Sequence, residues 1–170
     1  MKYSNIFKSA MPAAILGFVA LGLTPTSAVA QTNPATATFT VSATVLKDCV
    51  VSATALGFGN YTGALVNASS TVTVTCTSGT TYTVGLNQGL ATGATVTARQ
   101  MAITQPAGAL NYSLLTGSYT GTNWGNTTGS WVSGSGTGVA QPLTVYGVIP
   151  AGQYVAPGTY TDTITATVTY

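Results

Sequence analysis

Few side chains in this sequence can act as acid, base, nucleophile or metal ligand. The chain has 170 residues and no histidine. Hydrolases built on a serine or cysteine nucleophile with a histidine base therefore have no base here. Glycosidases need two carboxylates held in different environments, and the only carboxylate side chains are Asp48 and Asp162. Asp48 lies between Lys47 and Cys49, and Asp162 sits near the start of the last alternating segment. No metal-ligand set can be drawn from these residues, and no glycine-rich stretch matches a phosphate loop leading into a helix. The reading is of a non-enzyme with no catalytic residue, no metal, no cofactor and no small-molecule substrate. Lys47 and Arg99 are isolated cations and read as solvated surface groups or one ion pair. Trp124 and Trp131 could form a platform on which a sugar stacks. The plainer reading, that they cover an end of the fold or pack under a long loop, is preferred. Asn67, Asn111 and Asn126 each begin an Asn-x-Ser/Thr triplet, a weak signal by itself.

The N-terminal segment carries an export signature. Lys2 and Lys8 form a positive start, Ala13 to Leu23 is apolar, and Ala28-Val29-Ala30 has the small-x-small pattern of a cleavage site. The apolar run falls well short of the roughly 20 residues that cross a membrane as a helix. Residues 1–30 are therefore expected to be a signal peptide, leaving a mature chain of about 140 residues, one ordinary domain. In that mature chain Lys47 and Arg99 balance Asp48 and Asp162, so the formal side-chain charge is zero. Charged residues make up 4% of the whole sequence, against about 25% in ordinary domains. Nucleic-acid binding needs clustered Lys and Arg and is excluded. Soluble β proteins usually protect open sheet edges with charge. A β-rich chain without charge reads as one whose edges are covered by a partner.

Cys49 and Cys76 are the only cysteines. In an exported chain a disulfide is the default reading. Two free buried thiols are the alternative; the spacing is not that of a redox Cys-x-x-Cys pair.

The elements that must position these residues are strands. Apolar residues in the mature part recur with period two, broken by Gly, Thr, Ser and Asn into short runs, as in an all-β sandwich. Ala37, Phe39, Val41, Ala43 and Val45 alternate with Thr38, Thr40, Ser42 and Thr44. Val72, Val74 and Cys76 share one face, and Tyr82, Val84 and Leu86 another, with Thr77-Ser78-Gly79-Thr80 expected as a hairpin turn between them. Met101 and Ile103 are expected to pair with Leu110, Tyr112 and Leu114. Residues 116–138 read as long loops. The last segment is the clearest strand: Tyr160, Asp162, Ile164, Ala166, Val168 and Tyr170 alternate with five threonines.

The segment around Phe39, preceded by a loose tail, is suited to joining another sheet as an added strand. Burying one Phe and two Val contributes a gross term of about 5–9 kcal/mol before ordering costs. The same alternation fits equally well the first strand of its own domain.

Several stretches occur together in a particular order. They are the alternating segment before Cys49, Leu56-Gly57-Phe58-Gly59-Asn60-Tyr61 and Val72-Thr73-Val74-Thr75-Cys76. Arg99-Gln100-Met101, Leu110-Asn111-Tyr112, Trp124-Gly125 and the ending from Gly158-Thr159-Tyr160-Thr161-Asp162-Thr163 to Tyr170 follow. In this the chain resembles the spore coat protein U domain family, which includes pilin subunits of archaic chaperone–usher fimbriae. The resemblance implies an incomplete immunoglobulin-like β-sandwich completed by a donor strand from another subunit. It implies a donor extension over residues 31–47, with Ala37, Phe39, Val41, Ala43 and Val45 entering the acceptor, and a sandwich domain over 48–170. Ile164, Ala166 and Val168 would border the acceptor cleft, Tyr170 would be held by a chaperone, and Cys49 and Cys76 match the family's paired cysteines. The implied partners are identical or related pilus subunits, a periplasmic chaperone and an outer-membrane usher. The implied destination is a cell-surface fimbrium reached through the periplasm, supporting adhesion and biofilm formation. The two alanines on the donor face would fill shallow pockets. The alternatives are a spore-coat-type surface layer protein and a secreted carbohydrate-binding β-sandwich using Trp124 and Trp131.

Overall fold

The computed structural model describes residues 33–104 and 107–170. The expected signal peptide lies outside the described residues. The chain divides into two units, Met1–Ser42 and Ala43–Tyr170. In the first, residues 33–42 form no strand and are exposed.

The second unit is all-β. Its strands are β1 (Cys49–Ala53), β2 (Val66–Cys76), β3 (Thr81–Leu86), β4 (Arg99–Ile103), β5 (Gly108–Thr116), β6 (Thr122–Asn123), β7 (Val132–Ser135), β8 (Gln141–Ile149) and β9 (Ala166–Thr169). One sheet runs β1-β2-β8-β5-β4, with β6 added along β5, and the other runs β7-β3-β9. Every pairing is antiparallel. The core between the sheets is built from the buried alternate residues: Val72 and Val74 of β2, Tyr82, Val84 and Leu86 of β3, Leu110, Tyr112 and Leu114 of β5, and Val145 and Ile149 of β8. Alternation sends the intervening Thr, Ser and Asn outward, so these short polar strands still bury one face each. No helix occurs among the described residues.

The expected β4–β5 hairpin is present, with Met101 opposite Leu110 and Arg99 opposite Tyr112. The turn at Thr77–Thr80 is also present: the Thr80 amide donates to the Thr77 carbonyl at 3.1 Å, and Gly79 takes a left-handed φ of 80°. It does not join a hairpin. β2 belongs to one sheet and β3 to the other, so the turn carries the chain across the sandwich. The final segment differs as well. Only Ala166–Thr169 pairs as a strand, with β3. Thr161 instead bridges Ala102 of β4 in the opposite sheet. The segment therefore passes from one sheet to the other along one side of the sandwich, keeping its alternation throughout.

Candidate functional site: an open groove along the sandwich

β1 and β9 are terminal strands of different sheets, and they approach each other on one side of the sandwich. The inner faces of both are incompletely covered. Val51 and Ala53 of β1 stand opposite Val74 and Val72 of β2, and opposed residues share a face of the sheet. Val72 and Val74 are buried, whereas Val51 and Ala53 are exposed. On the other sheet, Val168 and Ala166 stand opposite Val84 and Leu86. Here too the β3 residues are buried and the β9 residues only half-buried. The cover of the core thus ends on both sheets at the same side.

The opening is a groove of about 390 Å³. Val72, Leu86, Tyr112, Leu114 and Val145 form its buried floor, with Leu56 and Phe58 on one flank and Tyr160, Ile164 and Ala166 on the other. The side toward β9 is pinned by polar contacts. The Asp162 carboxylate accepts hydrogen bonds from the Tyr112 hydroxyl at 2.6 Å, the Leu90 amide at 2.8 Å and the Thr163 amide at 2.8 Å. Gly89, at φ 89°, lies so close that a Cβ there would run into this carboxylate. The Asn87 side chain accepts from the Thr165 amide at 2.9 Å, and the Asn87 amide donates to the Thr165 carbonyl at 3.1 Å. Burial, reinforced by the bond to Asp162, pushes the Tyr112 hydroxyl well above its ordinary pKa.

Arg99 corrects the expectation of a solvated cation. It is 0% exposed. Its guanidinium donates to the carbonyls of Asn87 at 2.8 Å, Val96 at 2.8 Å, Leu86 at 3.0 Å and Trp124 at 2.7 Å. Burial lowers its pKa from the ordinary value, opposed by the nearby Tyr112 and Asp162. A planar fork of five donors matches such a cage of carbonyls, which a lysine could not fill. Sequence reasoning missed this residue because a lone cation between Ala98 and Gln100 carries no local sign of burial.

Trp124 is likewise corrected as a sugar platform. It is 1% exposed, and its indole donates to the Val84 carbonyl at 2.8 Å. Its ring is a core element. Trp131 is 37% exposed, and the structure does not bring the two rings into one platform. Cys49 and Cys76 form a disulfide across the first rung of the β1–β2 ladder. Phe39, Val41 and Val45 are 86%, 82% and 83% exposed; Ala37 and Ala43 are exposed too. Ile164, Ala166 and Val168 are half-buried, the first two lining the groove, and Tyr170 is exposed. Among the described residues no cluster of His, Cys, Asp and Glu could hold a metal ion.

Fold and groove define a class: an all-β sandwich whose core opens along one side between two free strand edges. Residues 35–167 match the family model described as Spore Coat Protein U domain, and the chain belongs to that family. It is 33% identical to Protein U of Myxococcus xanthus over 182 aligned residues, spanning 98% of this chain and 99% of that one. Among solved structures it is similar to a complex of the archaic chaperone–usher Csu pili of Acinetobacter baumannii, a chaperone–tip adhesion subunit pre-assembly complex. That match has a TM-score of 0.58 at 24% identity and covers 75% of this chain. The match spans 41% of the length of the matched chain of that complex, and the likeness is one of fold.

Proposed function

We propose that the chain is a structural subunit of a surface fibre, exported through the periplasm and assembled by strand exchange along a chaperone–usher route. The groove is the acceptor, and the segment Ala37, Phe39, Val41, Ala43, Val45 of another copy is the donor. The observation that carries the reading is the pair of incompletely covered terminal strands, with Val51 and Ala53 exposed on β1 and Ala166 and Val168 half-buried on β9, and a groove over buried core residues that Ala53 and Ala166 help to line. An exposed apolar floor between two unpaired edges calls for a strand, because a strand supplies both side chains and backbone hydrogen bonds. The exposed alternating segment supplies the matching chemistry. Before assembly a chaperone would fill the groove and hold the last strand up to Tyr170; an outer-membrane usher would then exchange one strand for the other. Family membership and the fold shared with a chaperone-bound pilus subunit support this route. Adhesion and biofilm formation follow as properties of the fibre.

The test is electrophoresis of the full chain after export to the periplasm. Ladders that resist SDS and collapse to monomer only on boiling are expected, since a strand buried along the whole core leaves slowly. A folded, monodisperse monomer would contradict the proposal.

A further inference from the structure

The outer face of the second sheet carries a chemistry that the groove does not use. Tyr82, Val84 and Leu86 point into the core, so Thr81 and Thr83 of β3 point outward. By the same alternation Thr167 and Thr169 of β9 and Ser133 and Ser135 of β7 face out. The register sets Ser133, Thr83 and Thr169 in one row across the three strands, and Ser135 beside Thr81 in another. Trp131 immediately precedes Val132, the partner of Val84, and shares the parity of Ser133. Hydroxyls elsewhere pair with one another, Thr77 with Thr80 in the turn at 2.8 Å and Thr116 of β5 with Thr122 of β6 at 2.9 Å. Among the described residues the six hydroxyls of this face make no such bond. Of the charged side chains among the described residues, Arg99 is buried, Asp162 belongs to the groove wall, and Lys47 and Asp48 precede β1, so none lies on β7, β3 or β9.

The donor segment continues the pattern. Thr38, Thr40, Ser42 and Thr44 lie opposite in parity to the apolar residues that would enter the groove. A donor strand added at the free edge of β9 would turn these four hydroxyls onto the same outer face. We infer that strand exchange completes a charge-free hydroxyl surface across β7, β3, β9 and the donor, bordered by Trp131, and that this surface binds neutral polysaccharide. The inference rests on the strand-exchange reading. Side chains of one parity repeat about every 6.6–6.8 Å along a strand, and neighbouring strands lie about 4.8 Å apart. The result is a regular grid of groups that both donate and accept hydrogen bonds, as sugar hydroxyls do. The Trp131 ring offers an apolar plane for a sugar face. A face without formal charge has no electrostatic attraction for acidic or basic polymers. A fibre repeats the surface in every subunit, so weak single contacts add up to avidity.

The test is co-sedimentation of purified full-chain polymers with microcrystalline cellulose and with an insoluble neutral β-1,3-glucan. Wild-type polymers are expected to be retained by at least one of them, with little dependence on salt. Trp131→Ala and Thr83→Lys are expected to lower retention by at least about tenfold. Thr40→Lys has the outer-face parity of the donor segment and leaves its apolar face unchanged; it is expected to leave the SDS-resistant ladder intact and to lower retention similarly. Polymers that sediment with neither glycan, or whose retention ignores all three substitutions, would overturn the inference and leave strand exchange standing. A chain that forms no polymers overturns the strand-exchange reading and the inference with it.

Discussion

The Tyr112 hydroxyl donates a 2.6 Å hydrogen bond to the Asp162 carboxylate, tying β5 of one sheet to the segment that leads into β9 of the other. Both residues line the groove. The tie holds the groove wall where it is, and it makes the wall sensitive to alkali. The folded-state pKa of Tyr112 is raised above its ordinary 10.0, first by burial and then by Asp162. A raised pKa contributes stability that is fully present below the unfolded value and is lost as pH rises above about 10. Alkaline unfolding followed by circular dichroism is expected to show this loss in the wild type. Tyr112→Phe is expected to lower stability near neutral pH by about 1–2 kcal/mol and to flatten the alkaline limb. An unchanged limb would show that Tyr112 does not set it.

Arg99 and its four carbonyl acceptors form the polar centre of the fold. Arg99→Lys, with three donors for four acceptors, leaves at least one of those carbonyls without a donor, at about 1–3 kcal/mol. Urea denaturation is expected to show a loss on the order of 1–3 kcal/mol. A loss below about 0.5 kcal/mol, the range of ordinary surface changes, would contradict the cage.

These two residues mark how far sequence reasoning reached. The alternation at Tyr160, Asp162, Ile164, Ala166 and Val168 is plain in the sequence because period two is a local property. That the segment bridges Ala102 at Thr161 and pairs with β3 only from Ala166 is a long-range fact with no local sign. The turn at Thr77–Thr80 is readable from Gly79, but turn chemistry does not say whether the flanking strands pair or part. Trp124 and Trp131 are equivalent in the sequence; only the Val84 carbonyl and the closing of the core separate them. The groove is legible only as a suspicion, since an uncovered edge is a property of the whole sheet order.

Gly147 sits on β8 beneath the groove flank, and a Cβ there would lie 2.8 Å from Phe58 Cζ and 2.9 Å from Leu56 Cδ1. Gly147→Val is expected to push Leu56 and Phe58 out of place and to cost about 1–3 kcal/mol through overpacking. The SDS-resistant ladder should weaken more than the fold itself, because Leu56 and Phe58 line the groove. Ladders of wild-type strength would show that this flank does not take part in assembly.

The disulfide joins residues 27 apart in the sequence. Replacing both Cys49 and Cys76 with Ser is expected to lower stability by roughly 3–4 kcal/mol if the loop-entropy account holds. Reduction of the wild type with dithiothreitol should reproduce that loss. A stability unchanged by either treatment would mean the bond adds nothing to the fold.

The most direct test of strand exchange is a parity swap in the donor segment. Val41→Asp places a charge on the face meant for the groove, and Thr40→Asp places the same charge one residue away on the outer face. Both full-length chains are exported to the periplasm and their heat-labile ladders compared. Val41→Asp is expected to abolish the ladder, because an unpaired carboxylate would have to be buried against Val72, Leu114 and Val145. Thr40→Asp is expected to leave it intact. Equal ladders from both variants would contradict strand exchange through this face.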